Sequence, residues 1–373
     1  MSEELIRECI KDLIPYEPGK PIEEVKRELG LEEVIKLASN ENSLGPSPKA
    51  IEAIRENAPF VNLYPDGGGF YLRKKLAQKY GLKIENILLG NGSDEIIRMI
   101  VETFLNPGEE VIVGEPAFII YQLASKVMEG KCIKVPLKDF THDLKAMKER
   151  VSEKTKLVFI SNPNNPTGTM VTKEEVDEFM EGLPSSLIVV FDEAYFEYID
   201  DPKYPDTLKF VREGKNVIIL RTFSKAYGLA GLRIGYALST PSIITGLNRV
   251  RQPFNTNALA QKAAIAALDD QEHVQKSREM VKKGKDYLYA ELKKLGLRFI
   301  PSVTNFILID MKMDGKKIFQ KLLKRGVIVR PMGGYNLPTY IRVTVGKREE
   351  NEKFIQALKE AIEEVRNESS SGN

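Results

Sequence analysis

The 373-residue chain has no tryptophan, two histidines and two cysteines. Cys9 and Cys132 stand far apart with no CxxC spacing, so neither a disulfide framework nor a zinc site is expected. His142 and His273 are equally isolated, which argues against a metal centre or a histidine-based triad. No apolar run reaches the length of a membrane span. The first residues carry acids and lack a long apolar core, unlike a signal peptide. The expected setting is reducing and cytoplasmic. Charge of neither sign prevails, with 55 Lys and Arg against 53 Asp and Glu. Basic runs such as Lys282-Lys283-Gly284-Lys285 alternate with acidic and apolar residues at helical spacing. They read as solvated helix faces, so no nucleic-acid partner is expected. GxGxxG and the P-loop GxxxxGK[ST] are also missing, which disfavours nicotinamide and ATP sites.

What is present points to an α/β protein. The length favours two domains. Short apolar strands alternate with amphipathic helices from about residue 84 to 240. They are Ile87-Leu88-Leu89, Val111-Ile112-Val113, Cys132 to Val135, Leu157 to Ile160, Leu187 to Phe191 and Val217 to Leu220. Continuous apolar strands separated by helices predict a doubly wound, mostly parallel sheet covered on both faces. Ser93 is the predicted N-cap of one helix, and Thr172-Lys173-Glu174-Glu175 is a capping box for another. The last third predicts a smaller α+β domain, with a long charged helix over 271–295 and strands at Phe299, Phe306 to Ile309 and Ile341 to Val345. The expected boundaries are 1–36 with the small domain, 37–275 the large domain, 276–366 the small domain again, and 367–373 a disordered tail.

Ligands of such sheets sit outside the carboxyl ends of the strands. Four loops there carry chemistry. Gly92-Ser93-Asp94-Glu95 opens a helix whose N–H groups suit a phosphate. Ser161-Asn162-Pro163-Asn164-Asn165-Pro166-Thr167-Gly168 holds Asn165 in a stiff turn. Asp192-Glu193-Ala194-Tyr195 ends an apolar strand in a carboxylate, expensive there without a cation. Arg221 to Tyr236, RTFSKAYGLAGLRIGY, places Lys225 at a strand end among glycines and Arg233. Poor solvation there would lower the lysine's pKa and make its amine nucleophilic. Together the loops offer Ser93, Ser224 and Arg233 for a phosphate, Asp192 for a protonated ring nitrogen, Asn165 and Tyr195 for a ring hydroxyl, and Lys225 for an aldehyde. Pyridoxal 5′-phosphate has all four features.

NPNNPTG, DEAY and SKAYGLAGLRIGY resemble the fold-type I pyridoxal-phosphate-dependent aminotransferases, in family order and over nearly the whole chain. Further stretches resemble the subgroup acting on L-histidinol phosphate. They include Tyr16 to Pro21, Ala38 to Asn42, Tyr64-Pro65-Asp66, Gln252 to Asn257, Thr304-Asn305-Phe306, Arg330 to Tyr335 and Tyr340 to Gly346. Ser43 and Phe118 depart from the Pro and Tyr usual there.

The resemblance implies that Lys225 joins the cofactor, Asp192 faces its ring nitrogen, and Asn165 and Tyr195 hold its hydroxyl. Phe118 would stack on the ring, and Ser93, Asp94, Ser224 and Arg233 would form the phosphate cup. Tyr64 would reach the neighbouring subunit's cofactor, which implies a homodimer. Arg342, with Arg330 and Tyr16, would contact substrate. The implied reaction moves an amino group between histidinol phosphate and 2-oxoglutarate, giving imidazole acetol phosphate and glutamate in histidine biosynthesis. Aromatic amino acids and threonine phosphate are the alternative substrates. A regulator with an aminotransferase-like sensor domain would need a DNA-binding domain ahead of residue 16, where none is expected.

Overall fold

The computed structural model describes residues 5–14 and 19–371. The chain divides into two units. The larger comprises Met1–Pro15, Gly45–Asn165 and Met170–Val274. Its seven-stranded sheet contains β1 (Ile87–Gly90), β2 (Glu110–Glu115), β3 (Lys131–Pro136), β4 (Thr155–Ser161), β5 (Ile188–Asp192), β6 (Val217–Thr222) and β7 (Gly235–Ser239). The spatial order is β1-β7-β6-β5-β4-β2-β3. β6, β5, β4, β2 and β3 pair in parallel, whereas β7 is antiparallel to both its neighbours. Every residue of β5 and β6 is buried, as cover on both faces requires. Leu88, Val113, Phe159, Val190, Ile218 and Leu220 share one core with Ile96, Ile97 and Ile100 of helix Ser93–Phe104. The capping box at Thr172 forms as expected, with Thr172 N–H donating to Glu175 Oε2 and Glu175 N–H to Thr172 Oγ1.

The second unit comprises Tyr16–Leu44, Pro166–Thr169 and Gln275–Asn373. Its four-stranded antiparallel sheet runs in the order Arg330–Pro331, Tyr340–Thr344, Phe306–Asp310, Arg298–Ile300. Helices Gly315–Lys324 and Arg348–Ser371 belong to the same unit. Ile35–Lys36 pairs in parallel with Val327–Ile328.

Four expectations need correction. Residues 37–44 fall with the second unit, because Thr344 N–H donates to Leu37 O at 2.8 Å and Asn40 N–H to Thr344 Oγ1 at 2.9 Å. Residues 5–14 fall with the larger unit, where Arg7 Nη2 donates to Glu129 Oε1 at 2.7 Å and Lys126 pairs with Asp12. The final helix runs through the expected disordered tail to Ser371, since each added residue needs only one further helical hydrogen bond. Ser93 is the first helical residue rather than the cap. The cap is Gly92, at φ 76°, and no side chain caps the helix.

Candidate active site

Asp192, the last residue of β5, is 4 % exposed. Its Oδ2 accepts from Tyr121 Oη at 2.7 Å, and its Oδ1 from Ala194 N–H at 3.2 Å. Among the described residues no cation pairs with it. Burial pushes its pKa up to about 6, against the pull of those two donors. Burial first, and then Asp192, hold the Tyr121 hydroxyl protonated, so it remains a donor. Tyr121 is fixed by stacking on Phe159, with ring centroids 4.7 Å apart. Sequence reading missed it, because FIIYQL reads simply as a helix; its place three residues after Phe118 was the available signal. Phe118 is half-buried and meets Tyr121 edge-on at 5.7 Å.

The RTFSKAYGLAGLRIGY stretch is a hairpin connection. Thr222 of β6 pairs with Gly235 of β7, and Phe223 N–H donates to Ile234 O at 3.1 Å. Within it, Gly228 N–H donates to Lys225 O at 2.9 Å and Leu229 N–H to Phe223 O at 3.0 Å. Ser224 N–H is held by Thr222 Oγ1 at 3.1 Å. Lys225 is half-buried, its Nζ 5.7 Å from the centre of the buried Tyr195 ring. Arg233 has φ 54° and returns to the strand end, where Nη1 donates to Ser224 Oγ at 3.4 Å and Nη2 to Asp94 Oδ2 at 3.3 Å.

Two glycines make that meeting possible. A Cβ at Gly92 would lie 2.4 Å from Arg233 Nη2, and one at Gly235 would lie 2.8 Å from Ser93 N. Ser93, Asp94, Ser224 and Arg233 thus gather at an uncapped helix start, an arrangement suited to an anion. By contrast, a Cβ at Gly231 would meet only open space.

β4, β5 and β6 are adjacent, with Ser161 beside Asp192 and Asp192 beside Leu220. Their ends therefore bring the half-buried Asn165, Asp192 with Tyr195, and Lys225 to one edge of the sheet. Asn162 braces the Asn165 turn, donating to Val171 O at 3.3 Å and accepting from Val171 N–H at 3.0 Å. A buried carboxylate without a cation, an amine and an anion cup on adjacent strand ends fit the pyridinium, aldehyde and phosphate of pyridoxal 5′-phosphate.

Tyr64 is no part of the buried groups. It is 82 % exposed and stacks on Phe254 at 4.6 Å. In the second unit, Arg342 is buried, with Nη2 donating to Ala38 O at 2.9 Å. Arg330 sits directly opposite it on the paired strand. Tyr16 lies outside the described residues.

Residues 32–358 match the family model of class I and II aminotransferases. A relative from Moorella thermoacetica, a histidinol-phosphate aminotransferase, is 54% identical over 95% of this chain and 92% of its own. One of the same name from Caldicellulosiruptor saccharolyticus is 51% identical over 96% of this chain and 100% of its own. Among solved structures, histidinol-phosphate aminotransferase from Sinorhizobium meliloti, in complex with pyridoxal 5′-phosphate, superposes with a TM-score of 0.89. It is 30% identical and covers 96% of this chain and 98% of its own. The strand-end site and these similarities agree: the chain belongs to the class I and II aminotransferase family.

Proposed function

We propose that the protein transfers an amino group between L-histidinol phosphate and 2-oxoglutarate, in the cytoplasm, with pyridoxal 5′-phosphate as cofactor. The observation that carries this reading is the assembly of Asp192, Lys225 and the Ser93–Ser224–Arg233 cup on neighbouring strand ends. When bound, the cofactor supplies an aldehyde for the amino group and an electron-poor ring that accepts charge as the α-proton leaves. The chain's groups do the rest. Asp192 keeps a ring nitrogen protonated, and Tyr121 and Ala194 aim its carboxylate. Ser93, Ser224 and Arg233 hold the phosphate, with Arg233 steadied by Asp94. Asn165 and Tyr195 hold the ring hydroxyl, and Phe118 lies on the ring face. Lys225 Nζ takes the substrate's α-proton as general base and delivers it as general acid.

Arg342, with Arg330 and Tyr16, takes the substrate's anionic end. Like charges placed directly opposite across antiparallel strands are unfavourable. An anion beside Arg330 and Arg342 offsets that repulsion, and Arg suits phosphate through paired hydrogen bonds. Histidinol phosphate has no carboxylate, so its phosphate fills this role. The close relatives' names favour it over phenylalanine or threonine phosphate. In purified enzyme, kcat/KM for histidinol phosphate is expected to exceed both by roughly tenfold or more. Equal or lower values overturn the substrate assignment.

The assembly is a homodimer in which Tyr64 reaches the partner's cofactor phosphate. Phe60, Val61, Leu63, Tyr64, Tyr71 and Phe254 are exposed apolar or aromatic residues of one unit, available for a partner subunit to cover. Light scattering should give twice the chain mass. Leu63→Asp should shift it toward the monomer and lower activity in proportion. A monomeric wild-type enzyme with full activity would rule the arrangement out.

A further inference from the structure

Behind the strand-end groups lies a second, fully enclosed pair of charges. Glu193 follows Asp192 directly, and Arg221 stands four residues before Lys225. Arg221 Nη2 and Nε lie 2.7 Å and 2.9 Å from Glu193 Oε2. The two side chains are 3 % and 0 % exposed. Glu193 Oε1 accepts from Thr207 Oγ1 at 2.5 Å, and the guanidinium lies 3.5 Å over the Phe196 ring.

The pair stands where backbone pairing stops. The register of β5 with β6 ends at Asp192 beside Leu220, and its last rung is Glu193 N–H to Leu220 O at 2.9 Å. Past that rung one chain departs toward Tyr195 and the other toward Ser224 and Lys225. The Glu193–Arg221 contact is a buried side-chain link between the two departing segments. Enclosed ion pairs add little net stability over well-packed apolar residues, so stability alone is a weak reason for this one. Its bidentate approach to one carboxylate oxygen, with the other oxygen also held, fixes direction as well as distance.

We infer that the Arg221–Glu193 pair is a positioning device that sets where Lys225 stands relative to Asp192. This rests on the cofactor assignment above. Misplacement of reacting groups by about 1 Å can cost on the order of 100-fold in rate, and a bound cofactor that must meet both residues reports the same error as weaker binding.

The test titrates cofactor-free protein with pyridoxal 5′-phosphate. It records the dissociation constant, the pH midpoint of the bound cofactor's absorption band, and Tm. In Glu193→Gln the dissociation constant should rise roughly tenfold or more and the pH midpoint should move, the size expected when a supporting residue is lost. Thr207→Val, which loosens Glu193 without removing charge, should shift both in the same direction by less. The double variant Glu193→Leu with Arg221→Met separates positioning from stability, because an apolar pair can restore Tm. Positioning predicts recovered Tm with binding still weak. Recovery of Tm, affinity and pH midpoint together would overturn the inference. So would wild-type values in folded Glu193→Gln. If the wild-type protein shows no Lys225-dependent band at all, the cofactor assignment falls first and takes this inference with it.

Discussion

Lys225→Ala is expected to lower kcat by roughly 10³-fold or more, since the proposed function gives one residue both the amine and the proton transfer, the latter alone worth about 10²–10⁴-fold. The loss should be chemical rather than structural. Lys225 is only half-buried, and its backbone carbonyl, which accepts from Gly228 N–H, is untouched by the substitution. Tm should therefore stay within a few degrees of wild type. Lys225→Arg is the sharper control. It keeps the positive charge near the phosphate cup, but a guanidinium stays protonated in proteins and cannot act as base. It should be as inactive as the alanine variant. Substantial activity in Lys225→Arg would mean that Lys225 serves only as a charge. Partial rescue of Lys225→Ala by an added primary amine would support the proton-transfer role.

On the proposed cofactor placement, Asp192→Asn should lower kcat by roughly 10²-fold or more, because the neutral amide cannot pair with a protonated ring nitrogen and losing one member of a buried charge pair costs about 3–5 kcal/mol. The same substitution should stabilise the cofactor-free protein at alkaline pH. Below pH 3.8, Asp192's ordinary value, the carboxyl is protonated both folded and unfolded. As pH rises toward about 6, the unfolded chain releases its proton while the folded chain retains it, and stability falls. Above that the loss is complete and amounts to about 2–3 kcal/mol. Asparagine has no such ionisation. Scanning calorimetry should therefore find the empty variant a few degrees more stable than wild type at pH 8, with the gap closing near pH 4. Adding pyridoxal 5′-phosphate should reverse the order at pH 8, because only the wild-type carboxylate gains a cationic partner. A variant less stable than wild type when empty at pH 8 would show that burial does not strain Asp192.

Most of the parallel strands were legible as unbroken apolar runs bounded by polar turns; the edge strand β3, KCIKVP, is interrupted by Lys134. β7 was not legible. Its five residues, Gly235 to Ser239, follow the glycine-rich stretch at once and read as its continuation. Only pairing with β1 and β6, far apart in sequence, makes them a strand. The same holds for residues 37–44, whose place is set by Thr344 some three hundred residues on. Asp192, Lys225 and Arg233 stood out because their charges sit where a sheet should be dry. Tyr121 did not, since a tyrosine on a helix carries no mark until the carboxylate it meets is known. Nor could the glycines be sorted by eye. Gly92 and Gly235 are set apart from Gly231 by what a Cβ would strike, and Gly92 also by its φ of 76°.

The antiparallel direction of β7 constrains how this protein can vary. The ends of β2, β3, β4 and β5 lead instead into crossovers to strands that run parallel to them. The connection from Thr222 to Gly235 leaves the sheet edge and returns to it on the neighbouring strand, so it is tethered at both ends. Lys225 lies near its outgoing end and Arg233 at its return. An insertion anywhere between them changes the span separating the amine from the guanidinium, and a cut frees both. Circular permutants and loop grafts should fail here, where the length of the chain would itself be a dimension of the proposed binding site.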